Sequence, residues 1–393
     1  MISVEKASHI LKTNIFPIHK TETLSILKAV DHVLFEDIYA PINMPPFPQS
    51  AMDGYALCLH DSLEYDIKGE IKAGDNLKPE LKTGDALRIF TGAPVPETGN
   101  AVVMQEKVTL HAQKITLNEP VTSGSNIRAI GEQIKKGDIA LKKGTKLTPV
   151  SIGFLSSLGI TEVSVYKHPS IAIIVTGNEI VEAGQPLAYG QIYDSNSVML
   201  QITLNKLGYT NISMHKVDDK YTNTLNKLDD VINNNDLVLV SGGISVGDYD
   251  FVGKALQELH VKELFYKVNQ KPGKPLFFGK KDDTVIFGLP GNPAASLSCF
   301  YIYVQTALQI MSGNMDFSLN RTNAISESKF IKHGDRAQFL KAIYKHGNVT
   351  ILDGQSSSML HTFALANALV YVPESRYTIE KNESVETILL PVN

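Results

Sequence analysis

The chain has 393 residues, 43% of them hydrophobic and 20% charged, which excludes a disordered chain and exceeds one ordinary core, since single domains stop growing at about 250 to 300 residues. A formal net charge of -4 excludes a general basic field for nucleic acid, so any anionic ligand must meet a local cluster of cations. The two cysteines, Cys58 and Cys299, are too few and too far apart for a disulfide framework and point to a reducing cytoplasm.

In chain order, Met1 to Lys12 lacks the basic run, apolar core and small-residue cleavage site of a secretory signal. The first forty residues read as helix, with Ser3 and Thr21 as N-caps and Leu24, Leu27 and Val30 at helical spacing. Pro41, Pro45, Pro46 and Pro48 then forbid helix and central strand and mark an extended entry into a new domain. From Tyr55 to Thr145, short alternating runs such as Val108, Leu110, Ile115 and Leu117 predict small antiparallel sheets, and Lys135-Lys-Gly-Asp and Lys142-Lys-Gly-Thr use one turn motif twice. A helix with legible ends follows: Thr148 caps it, Pro149 takes its first position, and Gly159 suits the left-handed conformation just beyond it.

Between 171 and 312, apolar runs (Ile171 to Val175, Leu237 to Val240, Val285 to Phe287) alternate with amphipathic segments (Ser195 to Leu207, Thr222 to Ile232, Tyr249 to Leu259), which predicts a parallel sheet with helices on both faces. Ala294 to Met311 carries no charge, but Ser296, Ser298, Gln305, Thr306 and Gln309 favour a buried core or subunit-interface helix over a membrane span. The tail from Ser318 returns to alternating strands, with Gly347-Asn348 as a hairpin turn, and predicts a closed or sandwiched β domain. The expected fold is multidomain α/β plus β: a helical module (1–44 with 138–168), a small mixed β domain (45–137), a central three-layer α/β/α domain (169–314) and a C-terminal β-barrel-like domain (318–393).

Open α/β sheets bind ligands at the carboxyl ends of their strands. Three such ends stand out: Thr176-Gly-Asn-Glu179, Ser241-Gly-Gly-Ile-Ser-Val-Gly-Asp248-Tyr-Asp250, and Gly288-Leu-Pro-Gly-Asn-Pro293. Paired Gly242 and Gly243 let backbone N–H groups approach a phosphate at a helix N-terminus, or else simply make a tight turn. No Gly-x-Gly-x-x-Gly occurs there, and Pro275 replaces the hydroxyl of a P-loop after Gly273-Lys274, so both familiar nucleotide motifs are disfavoured. Asp248 and Asp250 suit a divalent metal bridging carboxylate and phosphate, or are solvated helix-start acids.

Lys271-Pro-Gly-Lys274-Pro275 projects two ammonium groups from a stiff turn. Each ion contact at ~4 Å and an effective dielectric of ~20 is worth at most about 4 kcal/mol before desolvation, so a small dianion needs several converging cations. Ser50-Ala-Met-Asp-Gly-Tyr-Ala56 and Arg88-Ile-Phe-Thr-Gly-Ala-Pro-Val-Pro96 combine an acid, a hydroxyl and turn residues, as a second binding region or as plain loops.

With Ala101-Val-Val-Met-Gln-Glu106 added, this set of motifs resembles, over essentially the full length, the molybdopterin molybdenumtransferase family, known as MoeA in bacteria and as the E domain of gephyrin. The resemblance implies an elongated homodimer of four-domain subunits in the cytoplasm, whose central domain binds molybdopterin. It implies conversion of adenylylated molybdopterin and molybdate to molybdenum cofactor and AMP, with magnesium as cofactor. Carried over by motif, Gly242, Gly243, Ser241, Asp250, Glu179 and Asp219 would line the pterin nucleotide and the metal. Lys271, Lys274, Arg336 and Ser357, with Pro290 and Pro293 in the adjoining loop, would hold molybdate, and Asp53 and Thr91 of the partner subunit would complete the cleft. The sequence departs from the family pattern at Gln133, at Ala294-Ala295 followed by Ser296, and at Gln355-Ser-Ser-Ser358, where Ser356, Ser357 and Ser358 compete for one role. A tungstate-selective paralogue, an adenylyltransferase-like activity and a gephyrin-like scaffold are the other readings, and transient contact with the adenylyltransferase of the preceding step is a further expectation.

Overall fold

A computed structural model describes residues 1–243 and 251–391; Asp248 and Asp250 lie outside the described residues. Packing divides the chain into two units, one of Met1–Glu22, Asp31–Phe35 and Ser164–Asn393, the other of Thr23–Val30 and Glu36–Val163.

Helix α1, Val4–Asn14, starts where the Ser3 hydroxyl accepts from the Lys6 N–H, and it buries Val4, Ala7 and Leu11 at helical spacing. The second predicted helix is absent: Thr21–Ser25 is a strand (β1) and Ile26–Lys28 a single 3-10 turn. Two β-branched threonines at alternate positions favour the extended backbone, and Leu27, read as part of an apolar stripe, is 82% exposed.

In the second unit Gly54–Leu57 (β2), Glu64–Ile71 (β3), Asp85–Ile89 (β4), Ala101–Met104 (β5), Val108–His111 (β6) and Lys114–Leu117 (β7) form a sheet in the order β5-β2-β4-β3-β7-β6. The sheet is mixed rather than antiparallel throughout, because β3 and β4 run parallel. Alternate residues bury on opposite faces: Ala56, Leu87, Ile89 and Val102 on one, Tyr55, Leu57, Ala86 and Val103 on the other. Both lysine motifs are turns closed by backbone bonds, Asp138 N–H to Lys135 C=O and Thr145 N–H to Lys142 C=O. Helix α2, Pro149–Ser157, has the predicted ends, with the Thr148 hydroxyl accepting from the Ser151 N–H and Gly159 at φ +78°.

The first unit is built on Ile171–Thr176 (β8), Ile212–Val217 (β9), Leu237–Ser241 (β10), Lys262–Tyr266 (β11), Phe277–Lys281 (β13) and Thr284–Leu289 (β14), while Gln270–Lys271 (β12) pairs elsewhere. The sheet order is β9-β8-β10-β14-β13-β11, with the first four strands parallel, β13 antiparallel to β14, and β11 antiparallel to β13. Ile171, Ile173, Val175, Leu237 and Leu239 bury in one core cluster, which takes in α1, α3 (Asn196–Lys206), α6 (Pro293–Cys299) and α7 (Gln305–Met311). Ala172, Ile174, Val238 and Val240 bury in the other, with α4 (Tyr221–Asn234) and α5 (Phe251–Glu258). Strands covered on both faces need continuous apolar runs, which explains why these segments do not alternate in sequence.

The uncharged stretch 294–311 is buried along nearly its whole length, as α6, a π-helical segment Phe300–Val304, and α7. Among the described residues no helix is long and apolar enough to cross a membrane. Arg321–Ser326 (β15), Ala337–Lys345 (β16), Asn348–Ile351 (β17), Ala368–Val372 (β18) and Ser384–Leu389 (β19) close into a barrel, because β16 pairs with both β17 and β18. Its hairpin turn is His346-Gly347, both at positive φ, one residue earlier than predicted, with Lys345 and Asn348 as the closing pair. β12 adds to this barrel, Gln270 opposite Ala337 and Lys271 opposite Gln338.

Candidate active site

Chain order places β9 on one side of β8 and β10 on the other, so the carboxyl ends of β8 and β10 flank a topological switch point, where open sheets leave a crevice. Thr176 ends β8 and Ser241 ends β10, followed by Gly242 at φ +92° and Gly243 at φ +63°. A Cβ on Gly243 would lie 2.8 Å from the Thr176 hydroxyl and 2.8 Å from Val252 Cγ2, so only glycine fits here. The missing side chain of Gly243 is thus what lets the end of β10 pack against Thr176 and Val252.

Beside them, the Asn178 N–H donates to the Asp219 carboxylate at 3.1 Å, and the Asp219 N–H donates to the Asn178 side-chain oxygen at 3.2 Å. The exposed Glu179 follows, its carboxyl so close to Gly177 that a Cβ there would lie 2.6 Å from it. Among the described residues no three His, Cys, Asp or Glu side chains gather into a metal cage. Asp219 and Glu179 are hard oxygen donors at neighbouring strand ends. That set suits magnesium, which takes one or two carboxylates and completes its shell with phosphate oxygens and water.

The loop after β14 joins this crevice to the barrel. The buried Asn196 amide donates to the Ser241 hydroxyl and to the Gly291 carbonyl, both at 2.8 Å, and the Gly242 N–H faces the Leu289 carbonyl at 3.4 Å. Pro290 is buried, and Pro293 opens α6, where it needs no N–H partner. Ala294 and Ala295 N–H groups donate to the Ser357 carbonyl, and the Asn292 amide donates to the Ser357 hydroxyl at 2.9 Å. Of the three competing serines, Ser357 is thus the one held against this loop, while the Ser356 and Ser358 hydroxyls meet each other at 3.2 Å. Ser296 is buried and its hydroxyl has no protein partner.

The double-lysine bend packs on the same helix. Gly273 lies at φ +87°, and a Cβ there would sit 2.4 Å from Cys299 Sγ and 3.6 Å from the Ala295 carbonyl oxygen. Pro272 and Gly273 are buried while Lys271 and Lys274 are exposed, so the turn hides its backbone and offers its ammonium groups. Arg336 precedes β16, its guanidinium 3.5 Å from the Gln270 carbonyl. Burial pushes the Cys299 thiol up, so it stays protonated and inert.

In the second unit, Asp53 accepts from both the N–H and the hydroxyl of Thr91, each at 2.7 Å. Those bonds, with help from nearby Arg88, hold the exposed Asp53 carboxyl below the usual range. Arg88 donates to the Gly54 carbonyl and to the Gln105 side chain, and stacks over Tyr55 and Phe90.

The MoeA N-terminal region (domain I and II) matches residues 2–159, the probable molybdopterin binding domain residues 172–309, and the MoeA C-terminal region (domain IV) residues 323–390. The molybdopterin molybdenumtransferase of Haemophilus influenzae is 37% identical over 98% of both chains. The chain belongs to the molybdopterin molybdenumtransferase family. A Staphylococcus aureus protein of the same name is 30% identical over 93% of this chain and 90% of its own. The crystal structure of the molybdopterin biosynthesis moeA protein from Pyrococcus horikoshii OT3 superposes with a TM-score of 0.85 at 30% identity, covering 99% of this chain and all of that one. Membership makes this chain an enzyme of molybdenum cofactor biosynthesis, with the multidomain fold expected of the family.

Sequence motifs pointed at the glycine pair, the lysine bend, Ser357 and the loop that carries Asn292, but not at Asn196 or Gln270, which help tie them together. The available signal for Asn196 was Asp194-Ser-Asn at a helix start. That pattern is a capping pattern, and Asp194 does accept from the Ser197 N–H, so it carries no separate signal for the amide beside it.

Proposed function

We propose that this enzyme inserts molybdate into adenylylated molybdopterin, giving molybdenum cofactor and AMP. The observation that carries this reading is the run of contacts from Gly242-Gly243 through Asn196 and Gly291 to Ser357 and the Lys271–Pro275 bend. In this reading the seat for an activated phosphate and the cations for a tetrahedral dianion, Lys271, Lys274 and Arg336, belong to one connected part of the first unit.

In this scheme the Gly242 and Gly243 backbone holds the phosphoanhydride, with Ser241 fixed behind it. Glu179 and Asp219, with Asp250, would hold a magnesium ion, which when bound neutralises phosphate charge. Water or a molybdate oxygen attacks phosphorus, the P–O anhydride bond breaks and AMP leaves. Lys271, Lys274, Arg336 and the Ser357 hydroxyl meanwhile orient molybdate; as the two dithiolene sulfurs bind molybdenum, one of its oxygens departs, carried off on AMP if it was the nucleophile or otherwise as water with the two thiol protons. Several cations are required because each alone barely competes with water. Pro290 and Pro293 stiffen the loop between the two ligands. Asp53 and Thr91 come from the partner subunit of a cytoplasmic homodimer, the Asp53 carboxylate kept ionised by its two Thr91 bonds.

The test compares AMP release and molybdate binding in two variants. Asp250→Asn should abolish most AMP release while leaving molybdate binding intact, and Lys271→Ala should weaken molybdate binding. Wild-type AMP release in the first, or undiminished molybdate binding in the second, removes that residue from the scheme.

A further inference from the structure

Beneath the lysine bend lies a side chain that no motif marks. Gln270 is fully buried, and its amide nitrogen donates to the carbonyls of Pro272 at 3.1 Å and Gly273 at 3.3 Å, the two residues between the lysines. Its side-chain oxygen accepts from the Tyr303 hydroxyl at 2.5 Å, in the π-helical segment. The opposite amide orientation would set oxygen against two carbonyl oxygens, so a single orientation satisfies the group. Through its main chain the same residue pairs with the barrel and presents its carbonyl to Arg336.

We propose that Gln270 is the positioning residue of the oxyanion clamp, its amide setting the bend from which Lys271 and Lys274 project and Tyr303 setting the amide. Lysine side chains are long and lose much rotamer freedom when they converge on one ion, so a bend already fixed leaves less freedom to lose on binding. Gln270 touches no part of the glycine pair. Its loss should therefore separate the two ligands: oxyanion affinity falls and nucleotide affinity does not. This inference rests on the proposed role of the lysines.

The experiment titrates molybdate, and separately AMP, into wild type, Gln270→Met and Tyr303→Phe by calorimetry, with AMP formation measured against molybdate concentration. Gln270→Met keeps the volume and removes both donors, so molybdate affinity should fall about tenfold and the half-saturating molybdate rise by the same factor. AMP affinity and the rate at saturating molybdate should stay within about twofold of wild type. Tyr303→Phe keeps the donors and loses the lock, and its molybdate affinity should fall about threefold. Unchanged molybdate affinity in Gln270→Met, or an equal loss for AMP and molybdate, overturns the inference. Should Gln270→Met not fold, Tyr303→Phe decides by the same comparison. Failure of wild type to bind molybdate defeats the proposed function instead.

Discussion

The side-chain amide of Asn292 donates to the hydroxyl of Ser357 across 2.9 Å, linking the loop after the last parallel strand to the barrel. Two main-chain bonds from Ala294 and Ala295 to the Ser357 carbonyl reinforce the join. Asn292→Ala leaves those main-chain bonds and removes only the contact that aims the hydroxyl. Molybdate affinity is expected to fall about two- to tenfold, the worth of one neutral hydrogen bond, with thermal stability little changed. Calorimetric titration with molybdate alongside a melting curve checks both halves.

Gly243→Ala tests the phosphate seat. The added methyl would need φ +63° and would meet Thr176 and Val252 at 2.8 Å, so the strand end must shift. We expect AMP binding to fall at least tenfold and stability to drop by about 1 to 3 kcal/mol. Normal AMP affinity in the variant would show that the close approach of these glycines serves packing alone.

Asn196→Ala removes a buried amide that bridges Ser241 and Gly291. The buried Ser241 hydroxyl and the exposed Gly291 carbonyl lose their donor, and the expected cost is about 1 to 3 kcal/mol in denaturant unfolding. Because the bridge joins the glycine pair to the loop that meets Ser357, affinity for AMP and for molybdate should both fall. That pattern contrasts with Gln270→Met.

Stability toward acid should depend on Asp236. Burial raises its pKa, but the Lys20 ammonium at 2.7 Å and bonds from the Ser170 N–H and hydroxyl outweigh that and hold it below the usual value. A carboxyl whose folded pKa is depressed stabilises the fold above its unfolded pKa of about 3.9, and that stability is lost as pH falls through the lower folded pKa. Between about pH 5 and 2 the wild type should lose stability more steeply than Asp236→Asn. Parallel acid limbs in the two unfolding profiles would remove Asp236 from this account.

Much of this fold was legible because its signals are local. A capping Thr148, Pro149 and Gly159 mark α2 by chemistry that acts within one turn. The runs at Ile171 and Leu237 mark strands covered on both faces. Over 21–28 the chain departs from the predicted helix because Leu24, Leu27 and Val30 share helical spacing by chance in so short a stretch, and threonine's preference for extended backbone prevails. The hairpin turn slipped by one because His346, rather than Asn348, takes the positive φ before Gly347. In the site, glycine and proline motifs were visible since they constrain their own backbone. Asn196 acts on a residue 45 positions distant and Gln270 on carbonyls beneath a turn, and such bonds leave no period in the sequence.

The most direct test mixes the purified enzyme with adenylylated molybdopterin, magnesium and molybdate, then follows AMP and dithiolene-bound molybdenum together. If phosphate seat and oxyanion clamp share one cleft, AMP and molybdenum-loaded cofactor should appear in equal amounts, and Lys271→Ala should lower molybdenum incorporation. AMP release with no molybdenum incorporated, or molybdenum inserted with the adenylyl group still attached, would contradict the account.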